Sequence, residues 1–238
     1  MHESFVTFVQ EMSTTKIASL VKKEFTLEFR QRTSLGGVIL YLIGCVYLCY
    51  LAVQKINSAP VWKMKEKMEW NALLWILLFF NAIITVSRSF SSETKGRSIY
   101  SFSIYKPSDF IASKLIYNMI LVLAVSLLGY FFFAVFVGNP VNNQLLFLVN
   151  LILSAIAFSG ILTLTSGIAS KTTGGFTLMS ILSIPLLFPM LLLAMRISLM
   201  ATIGSDFAEC VNYLLGLFIL NTIIASLCLM LFPYLWRE

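Results

Sequence analysis

The sequence predicts an all-α integral membrane protein, with six transmembrane helices, an N-terminal amphipathic interfacial helix and a further short helix between spans two and three. Three observations lead there. The 238 residues are 58% hydrophobic and only 12% charged, against roughly 25% charged in an ordinary soluble domain. The mean hydropathy is +0.87. Six stretches, at about 35–54, 70–87, 111–137, 144–168, 176–195 and 209–232, are long enough to cross a hydrocarbon core of about 30 Å as helices. None alternates apolar and polar residues as a barrel strand does, so helices must satisfy the backbone.

The chain divides into an N-terminal amphipathic interfacial segment, 1–34, and a six-span domain, 35–238. The first apolar run is too long for a signal-peptide core and is expected to remain as the first span. Ahead of it, "TTKIASLVKKEFTLEFR" reads as a helix started by Ser13, Thr14 or Thr15. Ile17, Ala18, Leu20, Val21, Phe25, Leu27 and Phe29 fall on one arc, with Lys16, Lys22, Lys23 and Arg30 opposite, the pattern of a helix lying in the membrane interface. Glu24 and Glu28 interrupt the apolar arc one turn apart. A carboxylate facing acyl chains is costly, so each either meets a cation or donor of the protein itself or snorkels to the headgroups.

The first span holds Cys45 and Cys49 and the last holds Cys210 and Cys228, all four read as small buried hydrophobes. Trp62, Trp70 and Trp75 suit an interfacial belt at the start of the second span. "GNPVNN" at 138–143 is a short outer turn. Gly174 and Gly175 open the fifth span and permit close backbone approach. Inside that span Pro185 and Pro189 each remove a ladder hydrogen bond, so the helix is expected to kink or break near mid-depth.

Orientation follows from the Lys and Arg residues. With the N-terminus inside, cytoplasmic segments hold twelve of the seventeen: Lys16, Lys22, Lys23, Arg30, Arg32, Arg88, Lys95, Arg97, Lys106, Lys114, Lys171 and Arg237. Outer segments hold five: Lys55, Lys63, Lys65, Lys67 and Arg196. The positive-inside rule therefore puts both termini in the cytoplasm. The net charge of +6 reports orientation, and no nucleic-acid partner is implied.

Several chemistries are missing. No GxxxxGK[ST] loop is present to cradle ATP phosphates. The single histidine is His2, which removes the commonest general base, metal ligand and haem ligand. No acid stands at the centre of a span, as proton-coupled carriers usually require. The neutral polar residues at depth, Asn81, Asn118, Asn150, Asn212 and Asn221, suit helix-to-helix glue. The chain is expected to be neither an enzyme nor an ion-driven carrier, with no catalytic residue, metal site or directly bound cofactor.

The segment from Ser87 to Lys114 is then the candidate working part. It carries five of the seventeen Lys and Arg between two long apolar runs. "GRSIYSFSIY" can form a short cytoplasmic helix after Gly96 that Pro107 ends, with Ser108 or Asp109 capping the third span. Ile99 and Phe102 share one face of it, ringed by Glu93, Lys95 and Arg97, an apolar knob suited to a groove on a partner protein. An ordinary solvated loop is the alternative, and the exposed Ile-Tyr-Phe-Ile-Tyr series speaks against it.

These residues resemble a known family. Arg88, Phe90, Glu93, Gly96, Ile99, Phe102, Pro107 and Lys114 are similar to the cytoplasmic coupling region of exporter-type ABC permeases, and more specifically to the haem exporter protein B (CcmB) family of cytochrome c maturation. "SKTTGGFTLMSILSIPLLFPMLLLA", with Lys171, Gly174, Gly175, Pro185 and Pro189, resembles that family's K-x-x-G-G stretch and its two prolines four apart. "KKEFTLEFRQR" is similar to its R-E-L-x-x-x-x-R opening, with Glu24 in the acid position. The resemblance spans about 20–195. Family members often carry several acids before the coupling glycine, where this chain has Glu93 alone.

The resemblance implies a permease subunit in the bacterial inner membrane. ATP would be hydrolysed on a CcmA-like ATPase partner, and the subunit would work beside CcmC-like and CcmE-like haem-handling proteins. Haem would be handled by the complex, whose ATP hydrolysis frees the haem-loaded CcmE chaperone. A permease of the same architecture exporting a lipid, drug or polysaccharide is the alternative, and a membrane scaffold without an ATPase is a second.

Overall fold

The computed structural model describes residues 14–30, 32–54, 63–91, 107–169 and 175–236. Seven helices account for nearly all of them: α1 Thr14–Arg30, α2 Arg32–Gln54, α3 Met64–Ser91, α4 Pro107–Val137, α5 Gln144–Ala169, α6 Gly175–Ile203 and α7 Phe207–Trp236. The described residues contain no strand. Helices α2 to α7 each hold a stretch long and apolar enough to cross a membrane, and the protein is a multi-pass membrane protein.

Helix α5 is the hub, packing against α3, α4, α6 and α7. Small residues allow this. A methyl built on Gly160 would stand 2.8 Å from Cγ2 of Ile224 on α7, and the Cys228 thiol donates to the Gly160 carbonyl at 3.4 Å. Polar side chains add the cross-links expected of membrane helices. Asn150 donates to the Ala194 carbonyl of α6 at 2.8 Å, Asn221 of α7 to Leu153 of α5 at 3.1 Å, and Asn118 of α4 to Oγ1 of Thr163 at 2.9 Å. The glue reading holds for these three. Asn81 donates only to Leu77 of its own helix, and Asn212 is exposed.

Helix α3 starts at Met64, six residues before the expected span, and takes in Lys65 and Lys67 from the lysine-rich outer segment. The reason is local. The Glu66 carboxylate accepts the backbone N–H of Lys63 at 2.9 Å, a cap at the N-terminus. Lys67 then donates to the Thr202 carbonyl at the end of α6, 2.9 Å away, where a cation also complements the helix dipole. Helix α6 likewise runs on past Arg196 to Ile203. Arg196 lies 5.9 Å from the Tyr213 ring, and the helix stops at Gly204, whose φ of +96° favours glycine.

Two other expectations change. Trp70 and Trp75 are buried inside the bundle rather than in a belt. The Trp70 indole donates to the Gly138 carbonyl at 2.9 Å, and Trp75 meets Phe158 edge-on at 6.3 Å. Trp62 lies outside the described residues. Helix α6 runs through Pro185 and Pro189 as one helix, so of the kink or break expected there the break is absent. Both rings are on its exposed side, so the lost ladder bonds fall where no helix packs. Ser183, Leu187, Met190 and Ala194 keep the inward face continuous.

Of the cysteines, Cys210 and Cys228 are buried, while Cys45 and Cys49 are half-buried, and all four are free thiols.

Candidate functional site

Helix α1 is not simply laid on a lipid surface. Its buried residues are Ile17, Leu20, Glu24 and Glu28, a stripe at i, i+3, i+7 and i+11. That stripe packs on α4 and, to a smaller extent, on α2. Ala18, Ser19, Lys22 and Thr26 face outward. The two acids that looked misplaced on an apolar arc are therefore part of the docking face.

Their partners come from the first turns of α4. Proline is favoured at a helix's first position, where its missing N–H would be unpaired anyway, and α4 begins at Pro107. Its start precedes the expected caps, so Asp109 sits in the first turn, buried, where a carboxylate complements the helix dipole. Two turns in, Lys114 is 0% exposed and its ammonium donates to Oε2 of Glu24 at 2.9 Å. The same ammonium lies 5.9 Å from the Phe110 ring centroid. A lysine buried in an apolar setting is strongly disfavoured by desolvation unless a counter-charge meets it. The Glu24 carboxylate is what makes the position tenable.

A second contact follows one turn along. The Tyr117 side chain stands within electrostatic reach of the Glu28 carboxylate, and its ring takes Phe25 edge-on, with centroids 5.0 Å apart and planes at 72°. Glu24 to Lys114 and Glu28 to Tyr117 run in the same order along both helices. Tyr117 is the residue that reading the sequence missed. The usable signal was the match between acids at i, i+4 on α1 and a Lys and Tyr at i, i+3 on α4.

The remaining candidates fall in three places. Arg88, at the far end of α3, packs on α2: a methyl on Gly37 would come 3.0 Å from Nη1 of Arg88. Arg88 and Pro107 thus bracket the 92–106 segment. Glu93, Gly96, Ile99 and Phe102 belong to that segment, and they lie outside the described residues, as do Lys171 and Gly174. Gly175, Pro185 and Pro189 lie on α6, Gly175 as its first residue, and are not part of the α1–α4 junction.

The site's chemistry is that of docking. A buried ion pair and an aromatic pair lock a short helix onto the start of a spanning one, beside the segment between α3 and α4. Among the described residues, no group of three His, Cys, Asp or Glu side chains could hold a metal ion.

No curated protein matches the chain. A family model described as CcmB protein matches residues 15–230, from α1 to within the last helix, and by that match the chain belongs to the CcmB family.

Proposed function

We propose that this protein is the permease subunit of an ABC-type haem-export complex that serves cytochrome c maturation in the bacterial inner membrane. Its termini and the 92–106 segment face the cytoplasm, where a CcmA-like ATPase engages Ile99 and Phe102. CcmC-like and CcmE-like proteins complete the assembly, and ATP hydrolysis on the partner drives release of the haem-loaded chaperone. The observation that carries the reading is the family match over 15–230. The buried Glu24–Lys114 pair supports the mechanical part, because it ties α1 and α4 into one body next to the proposed contact. Motion imposed on that segment would then reach α4 through a joint with little slack.

Affinity purification in mild detergent tests this. The tagged protein is expected to bring down an ATPase subunit together with a CcmC-like protein. Recovery of the tagged chain alone, from membranes that contain both partners, would contradict it.

A further inference from the structure

Four buried side-chain polar atoms have no hydrogen-bond partner among the described residues: Nε1 of Trp75, Oδ1 of Asn81, Oγ1 of Thr85 and Oδ1 of Asn118. Trp75 and Asn118 are 0% exposed, Asn81 and Thr85 1%. Buried polar groups are nearly always paired, with protein or with ordered water, and the low dielectric of a membrane protein's core raises the cost of leaving them unpaired.

Three of them face one seam. Asn118 shares a stripe of α4 with Val122, Val125 and Gly129, at i, i+4, i+7 and i+11, all buried. A methyl on Gly129 would come 3.1 Å from Cδ2 of Leu78, so that stripe looks onto α3. Asn81 and Thr85 follow Leu78 at i+3 and i+7, one turn apart. The Asn118 amide is bonded to Thr163 of α5, and Trp75 meets Phe158, five residues before Thr163. At about 1.5 Å rise per residue, Asn81, Thr85 and Asn118 lie about 4, 10 and 16 Å along the bundle from the Gly129–Leu78 contact, a ladder of polar groups spread over roughly two helical turns.

The chemistry of the four atoms selects the ligand. The two amide oxygens need a donor, and the indole N–H needs an acceptor. A metal cation fails the second requirement. The molecule that both donates and accepts and fits between packed helices is water. We propose that a short file of ordered water runs along the α3–α4–α5 seam, from Trp75 past Asn81 and Thr85 to Asn118, ending one turn from the Lys114 ammonium. The file carries hydration from the docking site of α1 into the core, independently of what the complex transports.

Footprinting with X-ray-generated hydroxyl radicals tests it on the whole purified protein in mild detergent. The radicals form from water where it sits and label adjacent side chains. Trp70 is the internal control, equally buried but with its indole bonded to Gly138. Trp75 is expected to label at least fivefold faster than Trp70, and Thr85→Val with Asn81→Leu should bring the two rates together. Equal, slow labelling of Trp70 and Trp75 in the unaltered protein would overturn the proposal. So would a Trp75 rate that the double substitution leaves unchanged.

Discussion

Lys114 and Glu24 are ninety positions apart in the chain, yet the ammonium of one lies 2.9 Å from the carboxylate of the other with both side chains buried. Such a pair contributes little beyond an apolar contact when intact, but removing one partner strands a charge. The loss is then about 3–5 kcal/mol. Lys114→Met and Glu24→Gln should each lower the thermal stability of the purified protein and expose Lys22 and Lys23 on α1 to trypsin. The exchange Glu24→Lys with Lys114→Glu should recover part of the protection. Single variants as resistant as the unaltered protein would mean that α1 is held by its apolar stripe alone.

Tyr117→Phe separates the second contact from the first. It keeps the edge-on packing with Phe25 and removes only the hydroxyl beside Glu28. Its expected cost is about 0.5–1.5 kcal/mol, the range for an ordinary buried polar contact, measured by the same unfolding transition. A cost at or above that of Lys114→Met would place the main anchor at Glu28.

Gly160→Ala tests the close approach of α5 and α7. Its new methyl would stand 2.8 Å from Cγ2 of Ile224, so the Ile224 side chain or one of the helices must shift, at about 1–3 kcal/mol. Ile224→Ala in the same chain should relieve much of the strain. If Gly160→Ala alone leaves thermal stability unchanged, the two helices are not in tight contact there.

Side-specific labelling checks the orientation. Cysteines introduced at Ser91 and Asn142, at opposite ends of the bundle, should react with an impermeant thiol reagent from opposite sides of the membrane. The Ser91 position is expected to be cytoplasmic, by the twelve-to-five division of Lys and Arg. Labelling of both from one side would contradict it.

The architecture was legible because hydropathy and length alone define membrane spans, and six were placed in the right order. Span ends were less so. Glu66 and Lys67 extend α3 through a local cap on Lys63 and a tertiary bond to Thr202, and the second partner, 135 positions away, cannot be read from local composition. The aromatic-belt rule misplaced Trp70 and Trp75, since an indole that finds the Gly138 carbonyl or the face of Phe158 can be buried as readily as left at an interface. The conflict between Glu24 and its apolar arc did point to a cationic partner within the protein. Which cation answered it, and that Tyr117 stands beside Glu28, depends on how α1 crosses α4, a tertiary fact with only a weak trace in the spacing.

The central claim is that this permease is driven by a separate ATPase gripping the segment between α3 and α4. The most direct measurement is the affinity of the ATPase subunit for the purified protein carrying Phe102→Ala, with Ser101→Ala as control. A hot-spot side chain contributes about 2 kcal/mol or more, so Phe102→Ala should weaken binding roughly 30-fold, at about tenfold per 1.4 kcal/mol. Ser101→Ala should change it little, and both variants should insert and accumulate normally. A Phe102→Ala protein that retains full ATPase affinity and supports cytochrome c maturation would contradict the account.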